Sequence, residues 1–265
     1  MIRYEGGKVL TLHPRIGQRP DLTICEGRIY ADGAVERSVP LKGRLVIPAL
    51  WDGLPAPASQ VDYSCGRCGV LEARADDLRA PDARSAEVAA EALRKEPGDG
   101  RRRVVGLREA GQGVRRALGS LRPVVCLRPV STVDDAGKRN PYADYLLLAL
   151  KRSGVPLVFG SGDGAPPLHL VAEAVSRRRV STDGELQDSP TPVRDEPLAV
   201  AEAIAALSAT CAYARGVEEH EGRLAPGFSA DFLVLENDVL ELEPACIART
   251  KIVMAVMRGE VVYER

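Results

Sequence analysis

Asp163 is the residue best placed to do chemistry in this sequence. It sits in Phe159-Gly160-Ser161-Gly162-Asp163-Gly164-Ala165-Pro166, directly after an apolar run that reads as a strand. A carboxylate at the C-terminal end of such a strand can take a proton or hold a metal. Histidine is scarce, with only His13, His169 and His220. His169 follows the Asp163 loop and is the one histidine near it in sequence, so it reads as a substrate contact or as a surface residue at a helix start. His220 lies in the polar stretch Glu218-Glu219-His220-Glu221, and His13 lies among early β-strands. Metal-binding histidines and carboxylates work as a set, and one histidine beside one carboxylate does not make that set. No metal ligand is therefore assigned.

The other reactive candidates are cysteines and carboxylate pairs. Cys65-Gly66-Arg67-Cys68 is a C-x-x-C without the second pair or histidines that a zinc site needs. Packed thiols, a disulfide and a redox role all remain open for it. Asp76-Asp77 and Asp134-Asp135 are adjacent pairs whose side chains point apart, so they read as solvated turns. The Gly-rich loop around Asp163 lacks the Lys-Ser/Thr of a P-loop and does not fit G-x-G-x-x-G.

The elements that must position Asp163 alternate. Residues 104–107, 123–127 and 155–159 are short, apolar throughout and separated by helical segments at 85–95, 109–121, 142–153 and 168–178. A long helix is expected over 196–216, with Pro197 in its first turn. Strands apolar on both faces, alternating with helices, indicate a parallel sheet covered by helices. About five βα units can be counted, where a closed barrel needs eight. Both ends of the chain are strand-rich instead. Residues 1–48 hold four strand candidates. Residues 222–265 hold two apolar runs, Phe232-Leu233-Val234-Leu235 and Ile252-Val253-Met254-Ala255-Val256-Met257, then a hairpin at Arg258-Gly259-Glu260. Sheets this small need a partner layer, so the two ends are expected to form one β-unit.

Net charge is −1, which gives no electrostatic reason to bind nucleic acid or an anionic membrane. The clusters Arg101-Arg102-Arg103 and Arg177-Arg178-Arg179 read as solvated loop or helix ends. No apolar run is long enough for a membrane span, and Met1-Ile2-Arg3-Tyr4-Glu5 is no signal peptide, so the expected location is cytoplasmic.

Several segments together resemble the amidohydrolase superfamily, in particular the amidohydrolase 3 type. They are Gly6-Gly7-Lys8-Val9-Leu10-Thr11, Glu26-Gly27-Arg28-Ile29, residues 43–48, residues 222–235 and residues 256–263. The resemblance implies an α/β fold: a TIM-like (β/α) barrel at 49–221, here short of units, inserted in a small composite β-domain formed by residues 1–48 and 222–265. It implies hydrolysis of non-peptide C–N bonds with a divalent metal such as zinc, and Asp163 as metal ligand or base. The family's first strand ends in an H-x-H metal pair, preceded by an Asp that Asp52 matches. At the two histidine positions this chain has Leu54 and Ala56, neither of which can bind a metal. Two functions stay open: an amidohydrolase-like enzyme with a degenerate metal site, or a non-catalytic protein of the same fold. The second would act as a partner subunit or a small-molecule binder. An open barrel edge would have to pair or be covered, so a homo-oligomer or a heteromer is expected. Thiol chemistry at Cys65 and Cys68 is a third option.

Overall fold

A computed structural model describes residues 1–31, 33–54, 60–96, 101–108, 110–130, 146–187 and 197–265. Ala56 and the Asp134-Asp135 pair lie outside the described residues. The strands in chain order are β1 Ile2–Glu5, β2 Lys8–Leu10, β3 Gln18–Arg19, β4 Leu22–Cys25, β5 Arg28–Tyr30, β6 Arg37–Pro40, β7 Leu45–Pro48 and β8 Leu50–Asp52. They continue with β9 Arg67–Val70, β10 Leu78–Arg79, β11 Arg103–Val105, β12 Val124–Leu127, β13 Leu157–Phe159, β14 Phe232–Leu235, β15 Ile252–Met257 and β16 Glu260–Glu264. The helices are α1 Ala83–Lys95, α2 Gln112–Leu121, α3 Leu146–Arg152, α4 Pro167–Ser176, α5 Val200–Leu207, α6 Ala209–Arg215 and α7 Pro244–Arg249.

The two ends of the chain share a sheet. Its strand order is β16-β15-β14-β7-β2-β3, and β14 pairs antiparallel with β7 through Phe232–Pro48, Leu233–Ile47 and Val234–Val46. A second sheet, β5-β4-β1-β6, packs on it. Between them lie Tyr4, Val9, Ile24, Ile29, Val46, Phe232, Val234 and Val256, all buried. Tyr4 meets Phe232 edge-on at 5.0 Å between ring centroids, the T-shaped arrangement that ring quadrupoles favour.

The middle of the chain is a parallel layer. β10-β11-β12-β13 form one four-stranded sheet, and β8 pairs parallel with β9. The Gly53 amide donates to the Phe159 carbonyl at 2.8 Å, which joins the end of β8 to the end of β13. The order across the layer is thus β9-β8-β13-β12-β11-β10. Among the described residues no strand pairing links β9 to β10, so the layer does not close on itself through its ladders. Register explains the uniformly apolar strands. Val124, Cys126 and Val158 pack with Cys211 and Ala214 of α6, while Val125, Leu127, Leu157 and Phe159 join the cluster that holds α1, α2 and α3. Helices therefore lie on both faces.

Several boundaries differ from the sequence expectation for local reasons. The helix expected over 196–216 is two helices. Ser208 breaks it with φ −134° and ψ −82°, and its hydroxyl donates back to the Ile204 carbonyl at 2.8 Å, a bond that competes with the helical ladder. Pro197 precedes α5 rather than entering its first turn. α1 begins two residues early because Asp82 caps it, accepting from the Ser85 amide at 2.8 Å. Gly111 stands at the cap of α2, so that helix starts at Gln112.

Two readings of charged residues are corrected. Arg103 and Asp77 are not solvated: they are 3% and 8% exposed as side chains and form a two-bond pair at 2.6 and 2.7 Å. Arg177 is buried as well, its guanidinium bound to the Pro129 carbonyl at 2.6 Å. In each case one arginine of a triplet reaches from its own element, β11 for Arg103 and the end of α4 for Arg177, to a neighbouring loop, where burial leaves it bonded rather than hydrated.

Candidate functional site

The ends of β8, β12 and β13 meet at Asp52, Arg128 and Asp163. Asp52 is fully buried at the end of β8. Its Oδ1 accepts from the amides of Leu54 and Ser161, both at 3.0 Å, and its Oδ2 accepts from the Ser161 hydroxyl at 2.6 Å. This fixes the start of the Asp163 loop. Gly160 is required there, because a Cβ would lie 2.1 Å from the Leu54 amide nitrogen. The far side of the loop is held by Arg67, 5% exposed as a side chain, which donates to the carbonyls of Gly164 and Ala165, the latter at 2.9 Å.

Asp163 itself faces arginines. Arg128 follows β12 and donates to the Asp163 carboxylate and to the Ser161 carbonyl. The same guanidinium binds Glu173 on α4 with two parallel bonds, Nε to Oε2 at 3.0 Å and Nη2 to Oε1 at 2.8 Å. Glu173 is fully buried and also accepts from the Val180 amide at 3.2 Å. Arg179 stands 3.6 Å from Asp163 and 3.7 Å from Glu173. Partial burial pushes the Asp163 carboxyl up, but the Arg128 and Arg179 guanidinium groups and the Ala165 amide outweigh it and hold it below its ordinary value. A carboxylate so held is a weak proton acceptor near neutral pH.

His169 joins the same cluster. It is 6% exposed and within electrostatic reach of Glu173, Arg128 and Asp163. Burial lowers its pKa; Glu173 and Asp163 oppose that and Arg128 adds to it. That shift favours the neutral imidazole at pH 7. The unfolded chain takes up this proton as pH falls below 6.5, the ordinary histidine value, and the folded chain does so only at lower pH. His169 is therefore expected to cost stability as pH drops below that value, with the loss levelling off below its folded pKa. Urea unfolding of wild type and His169→Gln across pH 5–7 checks this, with a flatter profile expected for the variant.

The remaining candidates lie apart. His13 accepts from the Arg15 amide in a loop after β2. The His220 carbonyl accepts from Ser229, beside the β15–β16 turn. Cys65 and Cys68 are free thiols. Burial raises both pKa values, to about 12 for Cys68, so neither thiol is poised as a nucleophile. Asp76 is exposed and pairs with Arg74. Leu54 packs on the apolar cluster of Val124, Cys126, Val158 and Cys211. Among the described residues no three of His, Cys, Asp and Glu come together as a metal site. Asp163 faces two guanidinium groups, which repel a cation, so the described residues do not fit the family's divalent metal.

Sequence reasoning missed Arg128, Glu173, Arg179 and the Asp52–Ser161 lock. Two signals pointed that way. Arg128 directly follows an apolar strand, where site residues gather. Glu173 is a lone acid in the apolar helix LHLVAEAV, and a buried acid needs a partner.

The amidohydrolase family model matches residues 72–263. The chain belongs to the amidohydrolase family. A putative amidohydrolase of Bacillus subtilis (strain 168), YtcJ, is 29% identical over 136 residues, which is 50% of this chain and 25% of that protein. An uncharacterized metal-dependent hydrolase from Pyrococcus furiosus superposes with a TM-score of 0.68 at 12% identity, covering 91% of this chain and 100% of that one. An amidohydrolase from Thermotoga maritima MSB8 gives 0.62 at 12%, covering 100% of both chains. An adenosine deaminase from Xanthomonas campestris with bound zinc gives 0.63 at 12%, covering 99% and 93%. At such identities the likeness concerns the amidohydrolase fold alone. Among the described residues, no helix of this amidohydrolase-family chain is long and apolar enough to cross a membrane.

Proposed function

We propose that this amidohydrolase-family chain is a non-catalytic binder of a small molecule, with a charge cluster standing where relatives assemble a metal site. The observation that carries this reading is the engagement of Asp163 by Arg128 and Arg179. A base must be free to accept a proton, and a metal ligand must face a cation. Asp163 faces two cations already. Leu54, in apolar packing, supports the same reading. We also infer the division into residues 1–48, 49–221 and 222–265, with the first and last forming one β-unit around the parallel layer. The β7–β14 pairing supports it. Oligomerisation through an open edge of the parallel layer belongs to the same proposal.

The second reading is hydrolysis of a C–N bond with Asp163 as base. Its support is position: Asp163 follows β13, and its side chain is 53% exposed. Elemental analysis of untagged protein, before and after chelation, separates the two readings. The binder reading expects no stoichiometric zinc, iron or manganese, and no turnover of amides or cyclic imides after metal is added back. Stoichiometric metal with turnover that Asp163→Asn abolishes would overturn it.

A further inference from the structure

Among the described residues, four charges at the end of the parallel layer balance in pairs. Arg128 and Arg179 supply two positive charges, and Glu173 and Asp163 two negative ones. The two carboxylates are held very differently. Glu173 is fully buried and receives both forked bonds of Arg128 together with the Val180 amide. Asp163 is half exposed on a loop between Gly162 and Gly164, whose φ angles of 69° and 81° belong to a backbone that glycine adopts freely. Among the described residues its other carboxylate oxygen accepts one long bond, from the Ala165 amide at 3.2 Å. Arg179 lies 3.6 and 3.7 Å from the two carboxylates, beyond direct hydrogen-bond distance. A guanidinium presents a fork of donors that matches a carboxylate with two parallel bonds, and here the Arg179 fork stands opposite a single oxygen of each acid.

We propose that Arg128 and Arg179 form a binding site for a small monocarboxylate, and that Asp163 is its internal stand-in, displaced when the ligand arrives. The proposal rests on the binder reading and names its ligand class. Charge sets the class. A monoanion that replaces Asp163 leaves the site neutral, as it is now. A dianion adds a charge with no partner, and a neutral amide leaves one guanidinium uncompensated in a partly buried place. Asp163 loses little by leaving, because its loop already faces solvent.

Calorimetric titration of the full chain at fixed ionic strength tests this, with propionate, its neutral isostere propionamide, and inorganic phosphate as probes. Propionate is expected to bind and propionamide not to. Asp163→Asn removes the competing charge and should tighten propionate about tenfold, whereas Arg179→Gln should weaken it about tenfold. Arg179→Lys keeps the charge without the fork and should fall between them. Absence of propionate binding in both wild type and Asp163→Asn overturns the proposal. So does equal binding of propionamide, preference for phosphate, or undiminished binding by folded Arg179→Gln. Metal analysis of the same sample keeps two failures apart. Stoichiometric metal with turnover that Asp163→Asn abolishes sinks the binder reading itself, and a metal-free chain that ignores propionate sinks only the carboxylate site.

Discussion

Glu173→Ala is expected to destabilise the chain by about 3–5 kcal/mol, the cost of leaving a buried charge without its partner. At this chain length that lowers the thermal midpoint by about 10 °C. The reason is Arg128, 11% exposed as a side chain, two of whose donors end on Glu173. Asp163 cannot make up the loss, because its half-exposed carboxylate is screened by water and already bonded to another nitrogen of Arg128. The Val180 amide also loses its acceptor, which loosens the link between α4 and the segment carrying Arg179. The double variant Arg128→Met/Glu173→Leu removes both charges together. It is expected to recover most of the loss, since an apolar pair of similar volume avoids the desolvation that the ion pair must offset. Urea unfolding of Arg128→Met, Glu173→Leu and the double variant measures the coupling. A cost below about 1 kcal/mol for Glu173→Ala would mean that the pair is solvated and behaves like a surface bridge.

What could be read from the chain itself depended on how far each signal reaches along it. Phe232–Leu235 and Ile252–Met257 are strands because β-branched and apolar residues run together between turn residues, and that pattern is local. The pairing of β14 with β7 joins residues about two hundred positions apart and was reached only through the need of a small sheet for a partner layer. The failures are equally physical. The break at Ser208 depends on a hydroxyl that bonds four residues back, and a serine in a helical pattern does not announce that choice. The arginine triplets look alike in sequence, yet Arg103 and Arg177 are buried while Arg102 and Arg178 bond at the margins. Which arginine of a triplet turns inward is decided by where Asp77 and the Pro129 carbonyl stand, and no periodicity encodes that. Asp163 was visible because strand ends collect functional groups. The two arginines that change its character come from other elements, 35 residues before it and 16 after it.

Asp52→Ala is expected to cost a similar amount, about 3–5 kcal/mol, and for a different reason. Asp52 is not half of one ion pair. Among the described residues it accepts from the Leu54 and Ser161 amides and from the Ser161 hydroxyl, with Arg67 Nε 3.9 Å away. Alanine leaves those donors facing a dry gap at the point where β8 meets β13. Water has little room to replace the carboxylate, since Gly160 and Leu54 already approach so closely that a single added Cβ would collide. Asp52→Asn is expected to be much milder. The amide oxygen can still accept from both backbone amides, and the amide nitrogen can donate to the Ser161 oxygen, which already accepts from the Gly164 amide at 2.9 Å. The ranking separates geometry from charge. If Asn is nearly neutral and Ala severe, Asp52 acts as a hydrogen-bond hub that sets the Asp163 loop. If Asn is as damaging as Ala, its charge is what matters, and Arg67 is the group that needs it. Denaturant unfolding of the three proteins decides between them, and propionate titration of the Asn variant reports whether the loop beyond Ser161 has kept its place.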